Sequence, residues 1–464
     1  MDAVTRLPFK AKLGYGTAEL SSSLTWTMFY VLFLFFLTDV VKIEPAIAGF
    51  IMMLGTLWDA VTDPGVGIIS DRTRSKYGRR RPFILGVAVP FGIITWLLFT
   101  DFGFGPRGTI AYFIIVVIIF FTVSTMLDVP YTSLSAEMTP DYDERTSLIS
   151  YRAVFSQVAS ILGAALPLVL VERFNEIFHN PKMSWSAVTA IFGFFAIFPI
   201  LCTWRATRGY ELFPKSTTAR PRDIPGAVFK NRTFRYTVGV YVFSNVAMGV
   251  AGAVMVYFMK YFMAFNETQQ SIAFLFLFSC TICWIPLINM TSGKYGKRWA
   301  FIGFIGMWAI IQSVFVLLVR PDTVIFFYIL VILASGGLVG ITMTGWSMIP
   351  DVIEVDEFKS GQRREGLYFG VISFSRKISV AVAVWLVGII LSWIGYVPDA
   401  QQTDTAIFGI RMLYAEVTAL FLFVSIIIAY LLPMTKAKHQ ALREAIELKK
   451  AGKPWDEETI KDIL

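Results

Sequence analysis

The segment TLWDAVTDP, residues 56–64, places Asp59 and Asp63 four positions apart inside a long apolar stretch. Residues i and i+4 share a helix face, so the two carboxylates look the same way. A charge near the centre of a spanning helix costs about 2.5–3.5 kcal/mol to insert, and like charges so close repel. Such a pair persists where something positive completes it, either a fixed basic partner in a structural pair or a mobile cation. The segment STMLDVPYTS adds Asp128 and, one turn before it, the hydroxyl of Thr125. Hard monovalent cations take oxygen ligands, so Asp59, Asp63, Thr125 and Asp128 are read as a candidate Na+ or H+ site. Other apolar segments carry Arg152, Arg376 and Lys377, and Glu19 stands beside Ser21, Ser22 and Ser23. With Glu19 and Arg376 set aside, the three aspartates against Arg152 and Lys377 leave one negative charge, which a single Na+ or H+ neutralises. Lys377 is the expected coupling element, pairing with the aspartates when the site is empty and yielding to the ion. If the ion changes the affinity for a solute, the solute changes the affinity for the ion by the same factor.

The elements that must position these groups follow from composition. The 464 residues are 56% hydrophobic and 16% charged, with mean hydropathy +0.63, against about 25% charged in soluble domains. Apolar runs long enough for the roughly 20 residues that a helix needs to cross a bilayer recur along the chain. Lipid admits only helices or closed barrels, and continuous apolar runs exclude the alternating barrel pattern. Twelve spans are expected, centred near residues 27, 57, 92, 120, 160, 193, 248, 278, 308, 338, 380 and 418. The first is not read as a removable signal peptide.

The chain also repeats itself. KYGRR at 76–80 returns as KYGKR at 294–298, and the Pro-Asp of TPDYDERTS (139–147) returns in IPDVIEVDEFKSGQRREG (349–366). Two six-span halves with matching turns are the mark of duplicated transporters whose halves rock about a midplane site. The expected fold is all-α: twelve transmembrane helices in two pseudo-symmetric six-helix bundles, 1–204 and 235–434. A linker (205–234) joins them, and a tail (435–464) forms an amphipathic helix with a mobile end. DRTRSKYGRRR (71–81), the linker, KYGKR and the tail are rich in Lys and Arg, and the alternate loops are poor in them. The positive-inside rule then puts both termini in the cytoplasm, for a protein of the plasma membrane, or the inner membrane of a bacterium. The net charge of +8 reflects this topology and lipid headgroups; no soluble basic domain is present to bind nucleic acid. Loop charges are candidate gates that pair in one state and separate in another: Asp71, Arg79, Glu137, Arg145, Glu354, Arg363 and Arg364. The basic ones would equally serve to set topology.

Cys280 and Cys283 form a CxxC inside an apolar span, a packing pattern more than a redox one, and the two histidines, His179 and His439, lie in a loop and the tail. No metal beyond a coupling Na+, no organic cofactor and no enzyme constellation is expected. No GxxxxGK[ST] loop of a primary pump is present. A channel remains the alternative class, distinguished by its inability to drive uptake uphill. A monomer is expected.

KLGYG, FFLTDVVKIEP, LWDAVTDPGVGIISDRTRSKYGRRRPFIL, MLDVPYTSL and IPDVIEVDEFKSGQRREGLYFGV occur in that order across essentially the whole chain. In these segments the chain resembles the melibiose permease-like glycoside–pentoside–hexuronide:cation symporters of the major facilitator superfamily. The resemblance implies uptake of a sugar-like solute, driven by Na+ or H+, by alternating access. It implies that Asp59, Asp63, Thr125 and Asp128 serve the cation, that Lys377 matches the family's span-eleven lysine, and that Arg152 and Tyr30 contact the sugar. The chain departs from the pattern where the sugar-binding aspartate of span one falls on Ser23, the stacking tryptophan of span four on Thr132, and a glutamine-threonine pair on Ile372 and Ser373. Glu19, one turn before Ser23, then offers a replacement carboxylate, and Trp26 and Trp346 replacement aromatic faces. An Arg152 and a Lys377 without compensating partners would suit an anionic ligand, a uronide or a sulfonated sugar. A lysolipid or other organic-anion symporter is the alternative.

Overall fold

A computed structural model describes residues 7–139, 141–210, 231–361, 364–451, 454–455 and 461–463. Among these residues twelve helices are long and apolar enough to cross a membrane: α1 Phe9–Val40, α2 Pro45–Arg72, α3 Arg81–Leu98, α4 Gly105–Met138, α5 Glu144–Phe178, α6 Pro181–Ala206, α7 Arg232–Phe262, α8 Glu267–Tyr295, α9 Lys297–Leu318, α10 Val324–Lys359, α11 Glu365–Trp393 and α12 Asp404–Leu431. A thirteenth, α13 Lys436–Lys450, forms the tail. Every expected span centre falls inside one of the twelve. Most of the expected linker, residues 211–230, lies outside the described residues, as does Arg363.

Local chemistry sets the helix starts. Proline stands in the first turn of α2, α3, α4 and α6, where its missing N–H costs nothing. Side-chain caps begin others. Asn180 accepts from the backbone of Lys182 and Met183, Asn231 from Phe234, and Thr435 from Lys438, each satisfying an otherwise orphaned donor. Interior prolines fall beside the charges: Pro64 follows Asp63, and Pro130 lies two residues after Asp128. Each removes the helical donor to the carbonyl four residues before it, here those of Ala60 and Met126.

Packing divides the chain into two compact units that do not follow the expected boundary between halves. Unit 1 gathers Met1–Thr217 with Met259–Phe278 and Val384–Ile407; unit 2 gathers Thr218–Phe258, Ser279–Ala383 and Phe408–Leu464. The far end of α7, the first turns of α8 and the far end of α11 therefore pack with the first six spans. Glycine makes this possible: a Cβ on Gly388 would stand 2.3 Å from the carbonyl oxygen of Pro45, and one on Gly49 3.0 Å from that of Val384. The backbone of Ala46 donates to Ser392 Oγ at 3.1 Å. Small residues allow such approaches between spanning helices. The core of unit 1 is aromatic. Phe29 stacks on Phe120 with centroids 5.3 Å apart, and Phe99 on Trp185 at 5.5 Å, geometries that add to the burial itself. In unit 2, Phe234, Tyr241, Ile349, Val352, Tyr368 and Ile372 form a buried cluster.

Candidate functional site

The charges that composition marks as misplaced are in large part gathered within unit 1. On α2, Asp59 is buried and accepts from Thr125 Oγ1 of α4 at 2.7 Å. Thr62 Oγ1, between the two aspartates, lies 3.4 Å from Thr125 Oγ1. Asp63 follows on the same face of α2 and is half-buried. One turn along α4 from Thr125, Asp128 turns to α1 instead, accepting from Ser22 Oγ at 2.7 Å and Trp26 Nε1 at 2.9 Å. Among the described residues no three His, Cys, Asp or Glu side chains gather closely enough to hold a metal ion, so the three aspartates do not converge on one point. Asp59 and Asp128 instead sit on either side of one turn of α4.

The second group joins α1 to α5. Arg152 Nε donates to Glu19 Oε2 at 2.5 Å, and Nη1 to Thr132 Oγ1 at 2.9 Å; its guanidinium lies 5.0 Å from the centre of the Tyr131 ring. Ser23 Oγ donates to Glu19 Oε1 at 2.8 Å and lies 2.7 Å from Ser156 Oγ. Tyr30 stacks on Trp26 with centroids 5.5 Å apart. Glu19, Ser23, Trp26, Tyr30, Asp128 and Arg152 thus form one polar and aromatic patch. This corrects two expectations. Arg152 is not left uncompensated for an anionic ligand, because Glu19 is its partner. The charge balance that set Glu19 aside also gives Arg152 to the wrong side, since that guanidinium is already neutralised. Sequence spacing shows where Glu19 lies along α1, but not that α5 brings an arginine to it.

The remaining expected residues lie in unit 2. Trp346 stacks on Phe369 at 5.9 Å and meets Tyr241 edge-on at 6.0 Å. Ser373 and Lys377 are half-buried on α11. The loop charges bond within their own units. Arg79 and Arg80 both donate to the buried Glu137, and Arg80 also to Asp71. Arg145 donates to the Thr139 carbonyl at 3.3 Å, and Arg364 bonds both oxygens of Asp356. Glu354 meets His439 of α13 at 2.9 Å.

A charged cluster that sequence reasoning missed lies at the opposite end of the spans from the basic turns. Asp39, its side chain 1% exposed, accepts from Lys260 Nζ at 3.0 Å, from the Tyr261 and Tyr396 hydroxyls, and from Thr38 Oγ1 at 2.9 Å. Lys42 pairs with Asp399 at 3.0 Å beside it. All of these belong to unit 1, yet they join the end of α1 to the ends of α7 and α11. Asp39 and Lys260 each sit in a π-helical turn, Phe36–Val40 and Phe258–Phe262, a local form frequent at functional sites. The available signal was a lone acid in FFLTDVV and a lone cation in MVYFMKYF, each closing the first span of its half.

Comparison with known proteins gives a consistent picture. The model of a family described as MFS/sugar transport protein matches residues 14–436. A Synechocystis protein named as an uncharacterized symporter, sll1374, is 29% identical over 95% of this chain and 97% of its own. The putative glycoside/cation symporter YagG of Escherichia coli (strain K12) is 28% identical over 95% of each chain. A putative sulfoquinovose importer of Salmonella typhimurium is 24% identical over 88% of this chain and 86% of its own. Among solved structures, the nucleoside transporter NupG superposes with TM-score 0.63 at 12% identity, covering 91% of this chain and 98% of that one. A bacterial homologue of the lysosomal transporter Spinster does so with TM-score 0.65 at 12% identity, covering 91% and 95%. These likenesses establish the twelve-helix transporter fold.

Proposed function

Because this chain belongs to the MFS/sugar transport protein family, a family of membrane transporters and not of enzymes, we propose that it is a secondary symporter that takes up a neutral sugar-like solute with Na+ or H+. The observation that carries this reading is one turn of α4. Thr125 on that turn bonds Asp59, and Asp128 bonds Trp26 and Ser22 of α1. A cation held by Asp59, Asp63 and Thr125 and a solute held against Trp26, Tyr30, Glu19 and Arg152 would act on the same few residues, which is what reciprocal coupling needs. Pro64 and Pro130 add carbonyls deprived of their helical donors near the carboxylates, and oxygen is the ligand that hard cations prefer.

The Glu19–Arg152 pair supports a neutral solute over an anionic one. A sugar offers hydroxyls that both donate and accept, so it satisfies carboxylate and guanidinium together. A sulfonate or lysophosphate would have to displace Glu19 and leave it without its counter-charge, at a cost of several kcal/mol. The name of the sulfoquinovose importer among the relatives favours the second reading, a sulfonated sugar, and makes it the competitor to test. The latch at Asp39 closes one end of unit 1, and alternating access requires it to open while the other end closes. The basic turns and both termini are assigned to the cytoplasmic side of the inner membrane, which makes the latched end the outer one.

The test is uptake into proteoliposomes under separately imposed Na+ and pH gradients, with a panel of a neutral glycoside, a uronide, a sulfonated sugar and a lysophospholipid. Accumulation of the glycoside above its external concentration under one gradient, lost in Asp59→Asn and Asp63→Asn, is expected. Equilibration without accumulation, or full accumulation in those variants, would reject the symport reading. Accumulation of the sulfonated sugar alone would reject the neutral substrate.

A further inference from the structure

The two basic turns repeat in sequence, but their charges are handled differently. In the first, the consecutive arginines Arg79 and Arg80 meet the carboxylates of Glu137 and Asp71. In the second, the residues 218 positions later are Lys297 and Arg298. Lys297 pairs with Asp351 at 2.6 Å, but among the described residues Arg298 reaches no carboxylate. It donates to the backbone carbonyls of Leu432, at 2.9 Å, and of Tyr430. Its Nε is buried with no acceptor among the described residues. Carbonyls satisfy hydrogen-bond geometry without cancelling charge.

This turn borders a cavity of about 550 Å³ within unit 2. The cavity lies where α8 ends, α9 begins and α12 ends, closed over by the first turns of α13. Four cations line it, Lys297, Arg298, Lys436 and Arg443, against the single carboxylate of Asp351. Lys436, like Arg298, is held by a carbonyl, that of Gly293 at 2.6 Å. Even with Glu354, 3.8 Å from Arg443, set against them, the cations remain in excess among the described residues. The other lining is apolar, including Met348, Val352, Leu432 and Met434. Trp299, Tyr295 and Tyr430 stand exposed at the rim, with the Arg298 guanidinium 5.5 Å from the ring centres of Trp299 and Tyr430. Exposed aromatic residues at the ends of spans mark the headgroup level of a bilayer.

We propose that this cavity binds a phosphate group, and specifically the headgroup of an acidic phospholipid. The excess cations attract the phosphate, and the apolar wall covers the glycerol and the first acyl carbons. A free, fully hydrated phosphate would leave that wall bare. Basic pockets between spanning helices on the cytoplasmic side take acidic headgroups in this way. In the first basic turn the matching pair, Arg79 and Arg80, is met by the carboxylates of Glu137 and Asp71. α13, whose Lys436 and Arg443 complete the cavity, already bonds unit 2 through Lys436 to the Gly293 carbonyl and His439 to Glu354, and the lipid would add to that attachment.

The test uses the full chain purified in detergent and reads binding, not transport, so its outcome is independent of the symport reading. Thermal unfolding followed by tryptophan fluorescence is titrated with dioleoylphosphatidylglycerol, dioleoylphosphatidylcholine and inorganic phosphate. Phosphatidylglycerol is expected to protect at least tenfold more tightly than phosphatidylcholine. Each basic side chain near an acidic headgroup contributes about fivefold, so K436Q/R443Q should weaken that affinity about 25-fold, and K436R/R443K should restore it. Equal protection by the two lipids, or an unchanged affinity in K436Q/R443Q, would overturn the site. Protection by inorganic phosphate as strong as by phosphatidylglycerol would overturn the lipid assignment in favour of free phosphate. Should K436Q/R443Q fail to fold, a photo-crosslinking phosphatidylglycerol on the unmodified chain decides. Adducts within 292–299 or 432–443 support the site, and adducts confined to other segments overturn it.

Discussion

Loss of Asp39 should shift the protein's conformational balance. Its Oδ1 accepts from Lys260 and Tyr261, and its Oδ2 from Tyr396 and Thr38. Asp39→Asn keeps the shape but replaces one of the two accepting oxygens by an amide donor, so a tyrosine hydroxyl loses its acceptor and Lys260 loses its counter-charge. Removing one partner of a fully buried pair costs about 3–5 kcal/mol. Lys260 is 29% exposed and has Asp399 at 3.9 Å, so water and the second acid soften the loss to about 2–3 kcal/mol. On the alternating-access reading these bonds form only while this end is closed. At about 1.4 kcal/mol per decade, the ratio of closed to open states at this end should therefore fall about 30- to 150-fold. The assay is alkylation of a reporter cysteine by a membrane-impermeant maleimide. Ser271, buried in the first turns of α8 and bonded to the Ala165 carbonyl at 2.8 Å, is a near-isosteric place for it once Cys202, Cys280 and Cys283 are replaced by serine. Ser271→Cys should label slowly in the parent and at least tenfold faster with Asp39→Asn. A labelling rate within about twofold of the parent, in protein that elutes as one species, would show that the cluster does not hold this end closed.

Thr125→Ala removes the donor to Asp59, a hydrogen bond to a charged group worth about 1.5–3 kcal/mol; the half-saturating cation concentration for uptake should rise about tenfold or more while glycoside selectivity is kept. Glu19→Gln leaves Arg152 without its counter-charge. Uptake of a neutral glycoside should fall about tenfold or more and uptake of a sulfonated sugar should rise, and an unchanged preference would refute the pairing argument. Glu137→Gln removes the charge of a carboxylate shared by two buried arginines; a cost of about 3–5 kcal/mol should appear as a lower unfolding temperature measured by tryptophan fluorescence.

The class of this protein was legible without coordinates, because lipid imposes one-dimensional rules. A span must be about 20 residues long, must satisfy its own backbone, and must justify every charge it carries. Those rules are local, so the twelve spans, the duplicated turns, and the distinction of Asp59, Asp63, Asp128 and Arg152 from their apolar surroundings could be read from the chain. Partnership could not, because it depends on how helices distant in sequence rotate about their axes and cross. Tertiary packing put Glu19 on Arg152, 133 positions away, and sent Asp128 to Trp26 rather than to Asp59. It gathered Asp39 with Lys260 and Tyr396, over 221 and 357 positions, where glycines at 49 and 388 let the start of α2 and the far end of α11 approach. It also set carboxylates against Arg80 of the first basic turn and backbone carbonyls against the matching Arg298 of the second, although the two turns read almost alike in sequence. A charge in an apolar span announces itself by its cost, whereas the group that offsets the cost is chosen by packing.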